Sequence, residues 1–165
     1  MTLTALTCEE FLADFEQNAA RWMTFLAAHP EALAVPCDIA KSKSIGDLVW
    51  HIYAAEVRLS QRLLGEPVNA FAEGPDASLE AIQSLIDEGG ENLRRFLASA
   101  TQASLEEQLE FTARTGSGWR ASRRKVFVHA MLHAVRHQAQ ASTILRQHGF
   151  KLDWPQDFLG SNAIP

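Results

Sequence analysis

Cysteine is scarce in this sequence, and long apolar runs are missing from it. The two cysteines, Cys8 and Cys37, form neither a CxxC pair nor a disulfide scaffold. No apolar run approaches the roughly 18 residues that a membrane span needs, and the N-terminal MTLTALTCEEFLADFEQ acquires acidic residues too early for a signal peptide. We therefore expect a soluble, cytoplasmic protein with no membrane partner.

Excess basic charge and the common hydrolase motifs are also missing. The formal net charge is −5, so the composition gives no electrostatic basis for a nucleic-acid partner. Neither GxSxG nor a phosphate-binding glycine loop occurs. HExxH and ExxH are absent as well, which excludes the usual metalloprotease helix and the ferritin-like di-iron pattern.

Four segments have apolar residues at helical spacing between recognisable ends. Thr7 and Glu10 form a capping box, and Ser44 and Asp47 repeat that pattern before the second segment. Gly65 is a typical C-terminal residue for the second helix. The predicted helices cover about residues 7–28, 44–64, 78–99 and 122–149.

The segments between and after these helices are less regular. Gly89 and Gly90 are a weak point of the third helix, where it could bend or break. Residues 101–121 favour either a short hairpin or an irregular loop. We predict a single all-α domain over residues 1–165, an up-down four-helix bundle with the tail of about 150–165 packing on it.

The stretch HAMLHAVRHQAQ, residues 129–140, holds three histidines at i, i+4 spacing. On a helix, His129, His133 and His137 form one patch, and Gln140 lies in the same arc. Neutral imidazoles at this spacing can ligate one transition-metal ion.

A complete metal site needs a ligand from another part of the chain. The last helix contains no Asp or Glu between Arg120 and Gly149, and His51 is the only histidine inside another predicted helix. The residues therefore favour a site of His51 and two of the three histidines on the last helix. They also fit histidines that are merely structural, which would hold no metal.

Glu56 falls inside the apolar stripe of the second helix. A buried carboxylate needs a partner, so Glu56 is a candidate to orient a histidine ligand or to act as a base. The alternative is an edge residue whose carboxylate reaches water or an arginine such as Arg58 or Arg62.

The start of the last helix is basic, and the helix is apolar on most sides. Its cations could attract an anionic substrate, but we favour a solvated basic surface or ion pairs with the acids of LEEQLE, residues 105–110. A helix that is apolar nearly all round needs cover from the tail or from a second subunit, and we expect a homodimer. The cations are Arg120, Arg123, Arg124 and Lys125.

Two segments resemble the DinB/YfiT-like family of proteins. GDLVWHIYAAEVRLSQRLLG, residues 46–65, is similar to the family's second helix, and HAMLHAVRHQAQASTILRQHG, residues 129–149, is similar to its last helix. The tail DWPQDFL also resembles the family's C-terminal segment. The family commonly has His-Arg-Gly-Gln or a doubled histidine near the second ligand, whereas this chain has HQAQ at residues 137–140, in which Gln140 is kept.

The resemblance implies a four-helix bundle, often dimeric, with one divalent metal ion held by three histidines. Carried over by position, these ligands are His51, His133 and His137, while His129 and Gln140 belong to the surrounding pocket. Zinc or nickel is the expected metal; iron and copper also suit imidazole ligands, and manganese is a further alternative.

Related enzymes include the mycothiol-dependent maleylpyruvate isomerase and the bacillithiol S-transferases. The resemblance thus implies a metal-dependent S-transferase or isomerase that uses a small thiol as co-substrate. Three protein ligands would leave one metal position open for water or thiol, as in catalytic sites. The alternative is a non-catalytic metal-binding or stress-response bundle protein.

Overall fold

The computed structural model of the chain describes residues 6–70, 76–112 and 116–158. Within these ranges the protein is mostly helical, and none of its helices is long and apolar enough to cross a membrane. Five α-helices and two strands are present in the described residues: α1 (Cys8–Ala28), α2 (Ile45–Leu64), α3 (Leu79–Ser99), α4 (Gln102–Glu106), β1 (Gln108–Thr112), β2 (Gly118–Ser122) and α5 (Arg123–Gln147).

The helix ends follow the local signals in the sequence. Thr7 and Glu10 form the predicted capping box of α1. Ser44 caps α2, but Asp47 does not complete a box, because its carboxylate accepts a hydrogen bond of 2.9 Å from the Lys43 N–H instead. Gly65 ends α2 with φ of 70°, a left-handed conformation that favours glycine.

The four long helices share one apolar core. Helix α2 packs against both α3 and α5, and α1 packs against α3. Side-chain hydrogen bonds link α5 to both α1 and α2: Asn18 on α1 donates to Gln138 on α5 at 2.7 Å, and Gln138 donates to the Tyr53 hydroxyl on α2 at 3.3 Å. Fully buried side chains from these helices include Trp22, Leu26, Ile45, Leu48, Ile52, Leu93, Met131 and Leu145.

A short hairpin precedes the last helix. Of the two structures that the sequence left open for residues 101–121, a hairpin or an irregular loop, the hairpin is the one present. Strands β1 and β2 pair antiparallel, with Phe111 opposite Trp119. Ion pairs surround it as expected: Arg123 lies 3.2 Å from Glu107, and Arg124 pairs with Glu106. Arg123 and Arg124 therefore connect the start of α5 to the end of α4, next to the hairpin.

Helix α3 runs unbroken through Gly89 and Gly90. The described part of the tail packs on α1, where the ring centroid of Trp154 lies 5.7 Å from that of Trp22 and 5.9 Å from that of Phe25. Residues 159–165 of the predicted tail lie outside the described residues. A single domain over residues 1–165 stays a prediction.

Candidate metal centre

Three histidines from two helices meet between α2 and α5. His51, His133 and His137 each offer a ring nitrogen, and these nitrogens all lie within 4.8 Å of one another. The ring centroids are 5.1 Å apart for His51 and His133, 5.3 Å for His51 and His137, and 4.5 Å for His133 and His137. The i, i+4 spacing on α5 and the packing of α2 against it produce this cluster.

The cluster favours neutral imidazoles, the form that binds metal. Burial, together with the neighbouring His137, His51 and His129, lowers the pKa of His133 to about 3. Its buried Nδ1 has no hydrogen-bond partner among the described residues. A cation close to this nitrogen would remove the cost of leaving it unpaired, so the donor set fits a transition metal.

Gln140 fixes the orientation of the most buried of these rings. His137 is 2% exposed, and its Nδ1 lies 2.7 Å from the Gln140 Oε1. An amide oxygen only accepts hydrogen bonds, so Nδ1 carries the proton and Nε2 keeps its lone pair. This is the arrangement by which an outer residue prepares a histidine ligand.

His129 lies at the edge of the cluster. Its ring centroid is 5.9 Å from that of His133, and it is not one of the three residues whose nitrogens converge. Burial lowers its pKa, and the positive charges of Arg136 and Lys125 add to that effect. His129 and Gln140 thus lie beside the three histidines, and their role as pocket residues stays a prediction.

Comparison with known proteins places these features in a family. The sequence profile described as the DinB family matches residues 1–156 of the 165. The chain belongs to the DinB family. A cluster of three histidines is compatible with a metal-binding DinB-like protein.

Solved structures add a fold comparison. The chain resembles the crystal structure of a DinB-like protein, YjoA, from Bacillus subtilis, with a TM-score of 0.58 and 15% sequence identity. The match covers 86% of this chain and 93% of the other. At this identity the likeness concerns the fold alone. No curated protein sequence matches the chain.

Glu56 occupies a different part of this DinB-family chain. It is 2% exposed, as its place in the apolar stripe predicted, and its side chain faces Gly89 of α3: a Cβ added at Gly89 would lie 2.8 Å from Oε1. On a regular helix it lies about 140° around the axis from His51. Its roles as a base or as an orienting group for a histidine stay predictions.

The surroundings of Glu56 favour a neutral carboxyl group. Burial raises its pKa well above the ordinary value, and the negative charge of Glu16 adds to this. Its Oε2 has no hydrogen-bond partner among the described residues. Glu56 is therefore a buried acid at the contact between α2 and α3.

Sequence reasoning missed Arg136, which touches the histidine cluster. Its Nη2 lies 3.4 Å from the Nε2 of His137, and its charge lowers the pKa of His129, His133 and His137. The available signal was a cation directly before a candidate ligand on the same helix. The spacing alone does not show that its long side chain reaches the Nε2 of His137.

Proposed function

We propose that this DinB-family chain is a divalent-metal-dependent enzyme of the S-transferase or isomerase type that uses a small thiol as co-substrate. His51, His133 and His137 are the proposed ligands, and their converging ring nitrogens are the observation that carries the proposal. Zinc or nickel is the proposed metal, since imidazole suits both.

The number of ligands supports catalysis over storage. Catalytic zinc sites commonly have three protein ligands and one open position, whereas structural sites have four. In the described residues, the candidate group consists of three histidines and no further His, Cys, Asp or Glu. Cys8 and Cys37 are free thiols outside this group.

The residues around the site would perform separate tasks. A bound divalent metal supplies Lewis acidity, which lowers the pKa of a coordinated thiol or water. Gln140 holds the proton of His137 on Nδ1 and so directs Nε2 into the site. His137 is buried and His133 is half-buried, which limits the access of water to these rings.

The first experiment measures metal content. We expect about one metal ion per chain in untagged protein purified without a metal column, measured by elemental mass spectrometry. His133→Ala should lose it, whereas His148→Ala should keep it, because His148 is exposed at the end of α5. No metal in the wild-type protein, even after zinc or nickel is added, would contradict the proposal.

A second experiment separates the enzyme from a metal-storage protein. Loaded protein is mixed with a panel of small thiols and an aryl chloride whose substitution changes its absorbance. Transfer forms one carbon–sulfur bond and releases chloride and the thiol proton. A thiol-dependent rate that His51→Ala abolishes would support the enzyme, whereas tight metal binding without turnover of any substrate would favour the non-catalytic alternative.

The same proposal includes the helix arrangement and a homodimer. The contacts that link α1, α2, α3 and α5 around one core support an up-down four-helix bundle.

Leu132 and Val135 on α5 are 53% and 43% exposed, and Phe158 is 52% exposed, which supports a second subunit on this face. Light scattering coupled to size-exclusion chromatography would test this, and Leu132→Glu should give monomers.

A further inference from the structure

The Arg136 contact concerns the one nitrogen of His137 that a metal would use. A guanidinium group only donates hydrogen bonds, so the Nε2 of His137 accepts from Arg136 across 3.4 Å. Gln140 accepts from Nδ1 of the same ring at 2.7 Å. Both contacts require one tautomer, in which the Nε2 lone pair points to Arg136.

A metal ion and Arg136 cannot share this lone pair. A neutral imidazole has one such pair, so a metal bound at Nε2 must displace the guanidinium. The displacement is inexpensive, because Arg136 is exposed while His137 is buried. The contact is also long for a hydrogen bond, which makes it weak.

Arg136 keeps its positive charge available for a ligand. The two arginines at the start of α5 are used in ion pairs: Arg123 pairs with Glu107 and Arg124 with Glu106. In the part of the chain that the structure describes, no carboxylate forms an ion pair with Arg136, and α5 itself contains no acidic residue. A guanidinium beside a metal position is suited to bind an oxyanion through two parallel hydrogen bonds.

We infer that Arg136 occupies the ligand nitrogen of His137 in the metal-free protein and, once displaced by the metal, binds the oxyanion of an anionic thiol. The inference deepens the proposed function and rests on it, because it names the class of thiol at the same site. It predicts opposite effects of one substitution: tighter metal binding and weaker selection of anionic thiols.

Metal affinity tests the first half of this inference. Zinc binding is measured by competition with a chromogenic chelator for the wild type, Arg136→Gln and Arg146→Gln. We expect Arg136→Gln to bind zinc about threefold to tenfold more tightly, since a competing donor and a like charge are removed. Arg146→Gln, an exposed arginine in the last turn of α5, should equal the wild type.

Thiol selection tests the second half. Cobalt-loaded protein is titrated with 2-mercaptoethanesulfonate and with the uncharged 2-mercaptoethanol, and binding is followed by the thiolate-to-cobalt absorption band. The sulfonate is a poor metal ligand, so any preference for it reports on the protein. We expect Arg136→Gln to lower the ratio of the two affinities about tenfold, with Arg136→Lys intermediate and Arg146→Gln unchanged.

The outcomes separate this inference from the proposed function. Metal uptake by the wild type with equal zinc affinity in Arg136→Gln would overturn the first half, and an unchanged thiol ratio would overturn the second. Both effects without turnover of any substrate would support the inference and reject the enzyme. Failure of the wild type and of Arg136→Gln to bind metal would overturn both proposals.

Discussion

Helix α2 carries ionisable side chains on two sides, the half-buried His51 and the buried Glu56, and their surroundings differ. On one side His51 meets His133 and His137 of α5, and three ring nitrogens converge. On the other side Glu56 faces the backbone of α3 at Gly89. Burial lowers the pKa of His133 and raises that of Glu56, so the neutral form is favoured in both places.

The same physical cause has different chemical consequences at the two places. A neutral imidazole keeps a lone pair, and several of them directed at one point can replace the hydration of a cation. The carboxyl group of Glu56 faces the backbone of α3, and its Oε2 has no hydrogen-bond partner among the described residues. The number of converging groups, rather than burial alone, therefore distinguishes the candidate site from a buried acid in a helix contact.

The largest expected effect concerns the acid side and depends on pH. A raised pKa in the folded state means that the native protein holds a proton that the unfolded chain loses near pH 4.5. Stability is therefore lost as pH rises above that value, by up to about 1.4 kcal/mol per pH unit until the folded group also ionises. Glu56→Gln removes this dependence.

The measurement is urea unfolding of the wild type and Glu56→Gln between pH about 5 and 8. The variant should gain on the wild type as pH rises, because all other titrating groups are shared. Parallel curves would show that Glu56 is ionised and stabilised in the fold, which would remove the contrast between the two sides of α2.

The next effect concerns the histidine side and the addition of metal. Zinc at about 100 times its dissociation constant should raise the free energy of unfolding by about 2.7 kcal/mol, since it binds the native state. His133→Ala should show no such gain, whereas Glu56→Gln should keep it in full. A lost response in Glu56→Gln would mean that the two sides are coupled.

The sequence predicted more of the histidine side than of the acid side. Helix ends and the histidine patch follow from local periodicity, and the resemblance selected His133 and His137 from three candidates. The contact of Glu56 with Gly89 depends on how α3 is aligned along α2, which no local pattern records. The hairpin was ambiguous because its strands are short, and the Arg136 contact depends on the conformation of one long side chain.

A smaller effect tests how the ligand is oriented. Gln140→Leu removes the Oε1 acceptor that lies 2.7 Å from the Nδ1 of His137. Zinc affinity should fall about 10-fold to 100-fold, as for other residues that orient metal ligands. Gln147→Leu changes an exposed residue of the same helix and should leave affinity unchanged. Equal affinities in the two variants would show that Gln140 does not orient the ring.

The smallest effect tests the packing that encloses Glu56. Gly89→Ala places a Cβ 2.8 Å from Oε1 of Glu56 and 3.0 Å from its carboxyl carbon. Overpacking costs about 1–3 kcal/mol, and the better helix propensity of alanine offsets about 1 kcal/mol. Gly90→Ala is the matched control, since a Cβ added at Gly90 would lie no closer than 3.4 Å to its nearest neighbour, the Oε1 of Glu16. This substitution should stabilise the protein by up to about 1 kcal/mol.

A double-mutant cycle assigns the cost of Gly89→Ala to the right partner. In a Glu56→Ala background the carboxyl group is gone, so Gly89→Ala should no longer destabilise and should match Gly90→Ala. Urea unfolding of the four proteins measures the coupling. If Gly89→Ala costs the same with and without the Glu56 side chain, the glycine is required by the helix backbone contact itself, and Glu56 would then occupy space that α3 leaves open for another reason.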